Sequence, residues 1–93
     1  MSLLPYKIEI SDDVISQVVG NEVVLLNLES QTYYSLDKVA ARIWELLQEQ
    51  NAVEAIILRI IEEYEVSESA AQADVEKFIG ELRAAGIVRN TME

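Results

Sequence analysis

Residues 24–42, VLLNLESQTYYSLDKVAAR, decide how this chain folds. The apolar run ends at Leu28, Glu29-Ser30-Gln31 turns the chain, and Thr32-Tyr33-Tyr34-Ser35 follows as a short strand of β-favouring residues. At Asp37 the apolar period changes from two to about 3.6, so a helix opens there. Strand, turn, strand and helix follow with almost no spare residue. Tyr33 and Tyr34 must point to opposite faces, since side chains alternate along a strand. One is expected to join the core and the other to line the surface between this strand and a helix. A short aromatic strand at a sheet edge is either blunted or used to bind an extended peptide. No catalytic residue set lies near this one, and the sequence favours use.

Upstream, Ile8, Ile10 and the run Val14 to Val19 are rich in β-branched residues. Gly20-Asn21 then separates Val14 to Val19 from Glu22 to Leu28 at two-residue hairpin spacing. Glu22 to Leu28 is nearly all apolar, as a central strand would be. A three-stranded antiparallel meander results.

Downstream, Asp37 is a good N-cap for a helix with Val39, Ala40, Ile43, Leu46 and Leu47 on one face. Trp44 on the same helix reads as core, because its large apolar area is best buried. Asn51 is expected to cap a second helix, with Glu54 in capping-box position and a dense apolar set of Val53, Ile56, Ile57, Ile60, Ile61 and Tyr64. Ser67 caps a third helix carrying Ala71, Val75, Phe78, Ile79 and Leu82, and Gly86 ends it with Leu82 and Ile87 placed for a Schellman contact. The expected fold is α+β and winged-helix-like: a three-stranded antiparallel meander followed by three helices (βββααα), one domain over residues 1–93.

Composition excludes much chemistry. The chain has 93 residues with no cysteine and no histidine, which removes disulfides, thiol and imidazole catalysis and the usual zinc ligands. Seventeen acidic residues face seven basic ones, for a net charge of −10. Nucleic-acid binding is disfavoured, because phosphate backbones are held by lysine and arginine clusters. The third helix repeats the point: Glu68, Asp74, Glu76 and Glu81 outnumber Lys77 and Arg83, a poor recognition surface for a major groove. No apolar run reaches the roughly 20 residues of a membrane span, and no signal peptide opens the chain, so a cytoplasmic protein without membrane contact is expected. Asp12-Asp13 and Glu62, Glu63 and Glu65 lack calcium-loop spacing and read as solvated surface, so no metal or cofactor is expected.

Ser35-Leu36-Asp37 resembles the phosphopantetheine attachment site of acyl carrier proteins. Such proteins carry an acidic residue before the serine and a long helix upstream. Tyr34 and hairpin signals stand there in this chain.

The order VVLLNLES, turn, TYYSLD, VAARIWELL, IIEEYEVS, ADVEKFIGELRAAGIV, spanning about Val18 to Arg89, resembles the PqqD-like family. That family holds the pyrroloquinoline quinone biosynthesis chaperone and the stand-alone recognition proteins of lasso peptide pathways. Tyr34, Leu36, Asp37, Ala41, Ile43, Trp44, Asp74, Val75, Phe78, Leu82 and Gly86 fill its pattern. Asparagine often stands where this chain has Asp37, and both residues cap helices. The resemblance implies a RiPP recognition element: a non-catalytic domain binding the leader of a ribosomally made precursor peptide as a strand beside the third strand, against the third helix. It then presents the precursor to a radical SAM enzyme or a leader peptidase. The implied peptide-binding residues are Thr32, Tyr33, Tyr34, Ser35, Asp74, Val75, Phe78, Ile79 and Leu82. Val75, Phe78, Ile79 and Leu82 are more apolar surface than a minimal helix stripe needs, so part of the set is expected to floor a groove. A winged-helix DNA-binding protein and an acyl carrier modified at Ser35 are the alternatives, and homodimerisation is left open.

Overall fold

The computed structural model describes residues 7–49 and 52–91. The elements run β1 (Lys7–Ile10), β2 (Val14–Val19), β3 (Glu22–Asn27), β4 (Thr32–Leu36), α1 (Lys38–Glu49), α2 (Val53–Tyr64), α3 (Glu68–Ala84) and β5 (Val88–Thr91). The expected meander is β2-β3-β4, all antiparallel, and three helices follow it. A second sheet was not foreseen: β1 pairs antiparallel with β5, Ile8 opposite Asn90 and Ile10 opposite Val88. Glu9 and Arg89 stand directly opposite each other in this ladder and form an ion pair.

Local chemistry fixes each junction. Gly20 takes a positive φ of 64° at the first position of the β2–β3 loop, the place a type II′ hairpin reserves for glycine. The Asp37 carboxylate accepts from the Ala40 N–H at 2.8 Å, which opens α1. The Ser67 hydroxyl does the same for α3, accepting from the Ala70 N–H at 3.2 Å. At the far end of α3 the Ile87 N–H donates to the Leu82 carbonyl at 2.9 Å and the Gly86 N–H to Arg83 at 3.1 Å. With Gly86 at φ 74°, this is the full Schellman pair. The start of α2 departs from expectation. Its N-cap position is Ala52, which offers no side-chain hydrogen bond, while Asn51 lies outside the described residues. Glu54 still places a negative charge in the first turn, where the helix dipole favours it.

The helices pack on one face of the meander. Leu25 and Leu36 from the sheet meet Ile43, Trp44, Leu46, Leu47, Val53, Ile56, Ile57, Ile60 and the α3 stripe in one core. Trp44 is buried, as expected, and its indole N–H has no hydrogen-bond partner among the described residues.

Asn27 is the one buried polar residue among those described, and it ties sheet to helix. Its side-chain oxygen accepts from the Glu29 N–H at 3.0 Å and the Ser30 N–H at 3.5 Å, shaping the β3–β4 turn. Its amide donates to the Ala85 carbonyl at 3.2 Å, at the C-terminus of α3. Replacing it by alanine strands buried backbone groups, so Asn27→Ala should lower stability by about 1–3 kcal/mol in urea unfolding. A loss below half a kcal/mol would show that the turn holds without this clamp.

Arg42 on α1 grips Glu63 on α2 through two parallel hydrogen bonds, 2.8 Å from Nε and 2.7 Å from Nη2. Arg59 adds a third at 3.3 Å. The Arg42 hydrogen bonds hold the Glu63 carboxyl at about 2, well below its ordinary 4.5, and the guanidinium is shifted upward. A depressed carboxylate contributes stability that is fully present above the unfolded value and is lost as pH falls through the folded one. The Glu63→Gln variant should therefore show a shallower loss of melting temperature than the parent between pH 4.5 and about 2. Parallel curves would mean that the pair does not couple to folding.

Candidate peptide-binding cleft

Because the sheet order is β2-β3-β4, β4 has one ladder partner and an open edge among the described residues. Thr32 to Ser35 are exposed, and only Leu36 enters the core. Register decides where the tyrosines go. Tyr34 stands opposite Leu25 and shares its face with Leu36, looking toward the helices. Tyr33 stands opposite Leu26 on the outer face. Neither tyrosine joins the core, since Tyr34 is 38% and Tyr33 71% exposed. Leu36 fills the place expected of a tyrosine, because the strand runs one residue further than Ser35 and enters the core at its end.

A cleft of about 460 Å³ opens where β4 runs into α1. Asp37, Val39, Ala40 and Ile43 form one side of it, from the first turns of α1. Asp74, Lys77, Phe78 and Glu81 form the other, from the middle of α3. Val39, Ala40, Ile43 and Phe78 are its apolar part, and three carboxylates against one ammonium rim it. Neither this cleft nor a larger one of about 640 Å³, bordered by Glu9, Asp12, Asp13, Arg83 and Arg89, is lined by a residue of β4, but the first begins one residue past it, at Asp37.

Asp74 and Phe78 line this first cleft. Val75, Ile79 and Leu82 do not. All three are fully buried, with no surface to offer a ligand, so the part of the α3 stripe expected to floor the groove reduces to Phe78. The α3 stripe is wide because α3 packs against both α2 and β5. Val39, Ala40, Ile43, Lys77 and Glu81 were not anticipated. Chain adjacency was the available signal, since α1 begins two residues after Leu36 and its first turn has to border whatever lies at the end of β4. Ser35 is a strand residue with hairpins upstream, which is not the setting of a carrier attachment serine. Among the described residues, no group of His, Cys, Asp or Glu is arranged to hold a metal ion, and no helix is long and apolar enough to cross a membrane.

This arrangement of meander, cleft and helices has relatives. Residues 22–88 match the family model for coenzyme PQQ synthesis protein D (PqqD). The chain belongs to the PqqD family. A solved structure of TbiB1 in complex with the TbiA(beta) leader peptide matches this PqqD-family chain with TM-score 0.83 and 36% identity, over 91% of this chain and 99% of that one. Lasso peptide synthetase B1 complexed with the leader peptide matches with TM-score 0.81 and 22% identity, over 89% of this chain and 98% of that one, a likeness of fold alone. A comparison with curated proteins finds no match.

Proposed function

We propose that this PqqD-family chain binds the leader segment of a ribosomally synthesised precursor peptide as an added strand on β4. It presents the precursor to a modifying enzyme or leader peptidase and carries out no chemistry itself. The observation that carries the reading is the edge of Thr32 to Ser35, open among the described residues, with an apolar-floored cleft between α1 and α3 that begins at Asp37, one residue past the end of β4. Main-chain groups of an edge strand supply affinity for any extended peptide, and side-chain pockets beside it select among peptides. In this reading Phe78 and Asp74, with Val39 and Ala40 across the cleft, and the partly exposed Tyr34 on the strand itself select among peptides. The 36% identity to TbiB1, itself solved with a leader peptide, supports the same reading. The chain acts as one recognition domain.

Calorimetric titration with the leader of the precursor encoded beside the gene tests it. Saturable binding of the leader, and none of a scrambled leader of equal charge, is expected. The alternatives fail on chemistry. An excess of carboxylates over the whole chain, repeated on α3, opposes DNA. Equal affinity for leader and scramble, or salt-sensitive binding of duplex DNA, would overturn the assignment.

A further inference from the structure

The meander has a second face, turned away from the helices, and much of it is apolar, although Gln17, Glu22 and Ser35 share it. Along the β3 and β4 registers Ile15, Leu26 and Tyr33 lie side by side across all three strands. Val24 lies beside Leu26 on the same face, Val19 follows along β2 beyond Gln17, and Leu28 follows just past the end of β3. Ile15 is 48%, Val19 58% and Leu28 52% exposed. The β2 edge is equally unguarded: Val14 to Val19 carries no charge, proline or lysine, the usual devices that blunt a free edge. Contiguous exposed apolar surface of this kind marks an interaction site.

Charge says what covers it. Residues 8–37 contain Glu9, Asp12, Asp13, Glu22, Glu29 and Asp37, and no lysine or arginine. Glu22 stands opposite Val19 on this same face, and the exposed Glu29 follows Leu28 in the chain, so carboxylates flank the patch at both ends. A second copy would bring the same rim and a net charge of −10 against an identical charge. An anionic lipid surface would be repelled likewise. We infer that the outer face of β2-β3-β4 docks a different protein, whose own apolar patch is rimmed by lysine and arginine, and that this protein is the enzyme receiving the precursor. The inference rests on the leader-binding reading, because β4 would then offer its edge to the leader and its outer face to the enzyme. Substrate and enzyme would meet on one strand.

The test uses the full chain, the cognate leader and the enzyme encoded beside the precursor. The variant Ile15→Lys/Val19→Lys places cations against the partner's basic rim and lies off β4. It should melt as the parent does and bind leader with unchanged affinity, while its complex with the enzyme weakens by about tenfold or more. Should lysine disturb the strand, Ile15→Thr/Val19→Thr keeps β-branching while removing apolar area, and the same loss is expected in smaller measure. Glu22→Lys should slow association with the enzyme and flatten its salt dependence. Undiminished enzyme affinity in the double variants overturns the inference. So does a parent chain that forms no complex with the enzyme, or a parent dimer in sedimentation that the double variant dissociates. Failure of the leader titration in the parent is a separate result, and it sinks the leader-binding reading instead.

Discussion

Proline at Tyr33 and proline at Tyr34 should give opposite phenotypes. Successive N–H groups of a strand point to opposite sides, so one of these two donates into the β3 ladder and the other points out from the open edge. Proline removes its own donor and is tolerated in sheets only where that donor faces away from a neighbour. The inward variant should lose stability, because it leaves a β3 carbonyl without its partner at about 1–3 kcal/mol. The outward variant should melt like the parent yet bind the leader at least about tenfold more weakly, a loss of about 1.4 kcal/mol or more. Thermal melting and calorimetry on both variants separate the two effects. A folded outward variant with parental affinity would place the leader elsewhere.

Phe78→Asp should be the most damaging single change. Phe78 is almost wholly buried at the floor of the cleft, against the Val39, Ala40 and Ile43 side. Removing its ring and leaving an uncompensated carboxylate costs roughly 3–5 kcal/mol, a large share of what a domain of this size has. Loss of cooperative melting or a strongly lowered midpoint is expected. Phe78→Leu separates folding from recognition. It conserves apolar character at a cost of under about 1.5 kcal/mol, so the chain should stay folded while leader affinity falls several-fold. Unchanged affinity in folded Phe78→Leu would remove the ring from the binding surface and leave it as core alone.

The helices and the meander were legible because their signals are local. Asp37, Ser67 and Gly86 each act on backbone groups within five residues, and each acts as its type and spacing indicate. Non-local partnerships were not legible. Ile8 and Ile10 read as β-favouring, but their ladder partner Val88–Thr91 lies at the other end of the chain, and four residues after a helix stop carry no pattern of their own. Asn27 gives no local signal of its role, because it joins a turn to the end of α3, 58 residues away in the chain. The site divides along the same line. That β4 would be a short, exposed edge followed from its composition and position. Which α3 residues stay reachable depended on how α2 and β5 close over that helix, and so Val75, Ile79 and Leu82 went inside while Phe78 stayed at the surface of the core. The tyrosines missed the core for a related reason: a strand at the edge of a three-stranded sheet is covered only at its end, where Leu36 sits.

Among the described residues the meander has two open edges, β2 and β4, and the leader is proposed to take β4. Residue-resolved amide hydrogen exchange with and without saturating leader reads this directly. If the leader adds as a strand to β4, alternate amides within residues 32–36 become protected on binding, in the period-two pattern of a new ladder, and amides of Val14–Val19 are unchanged. New protection along β2, or no alternating protection on either edge despite saturation, would contradict strand addition at β4.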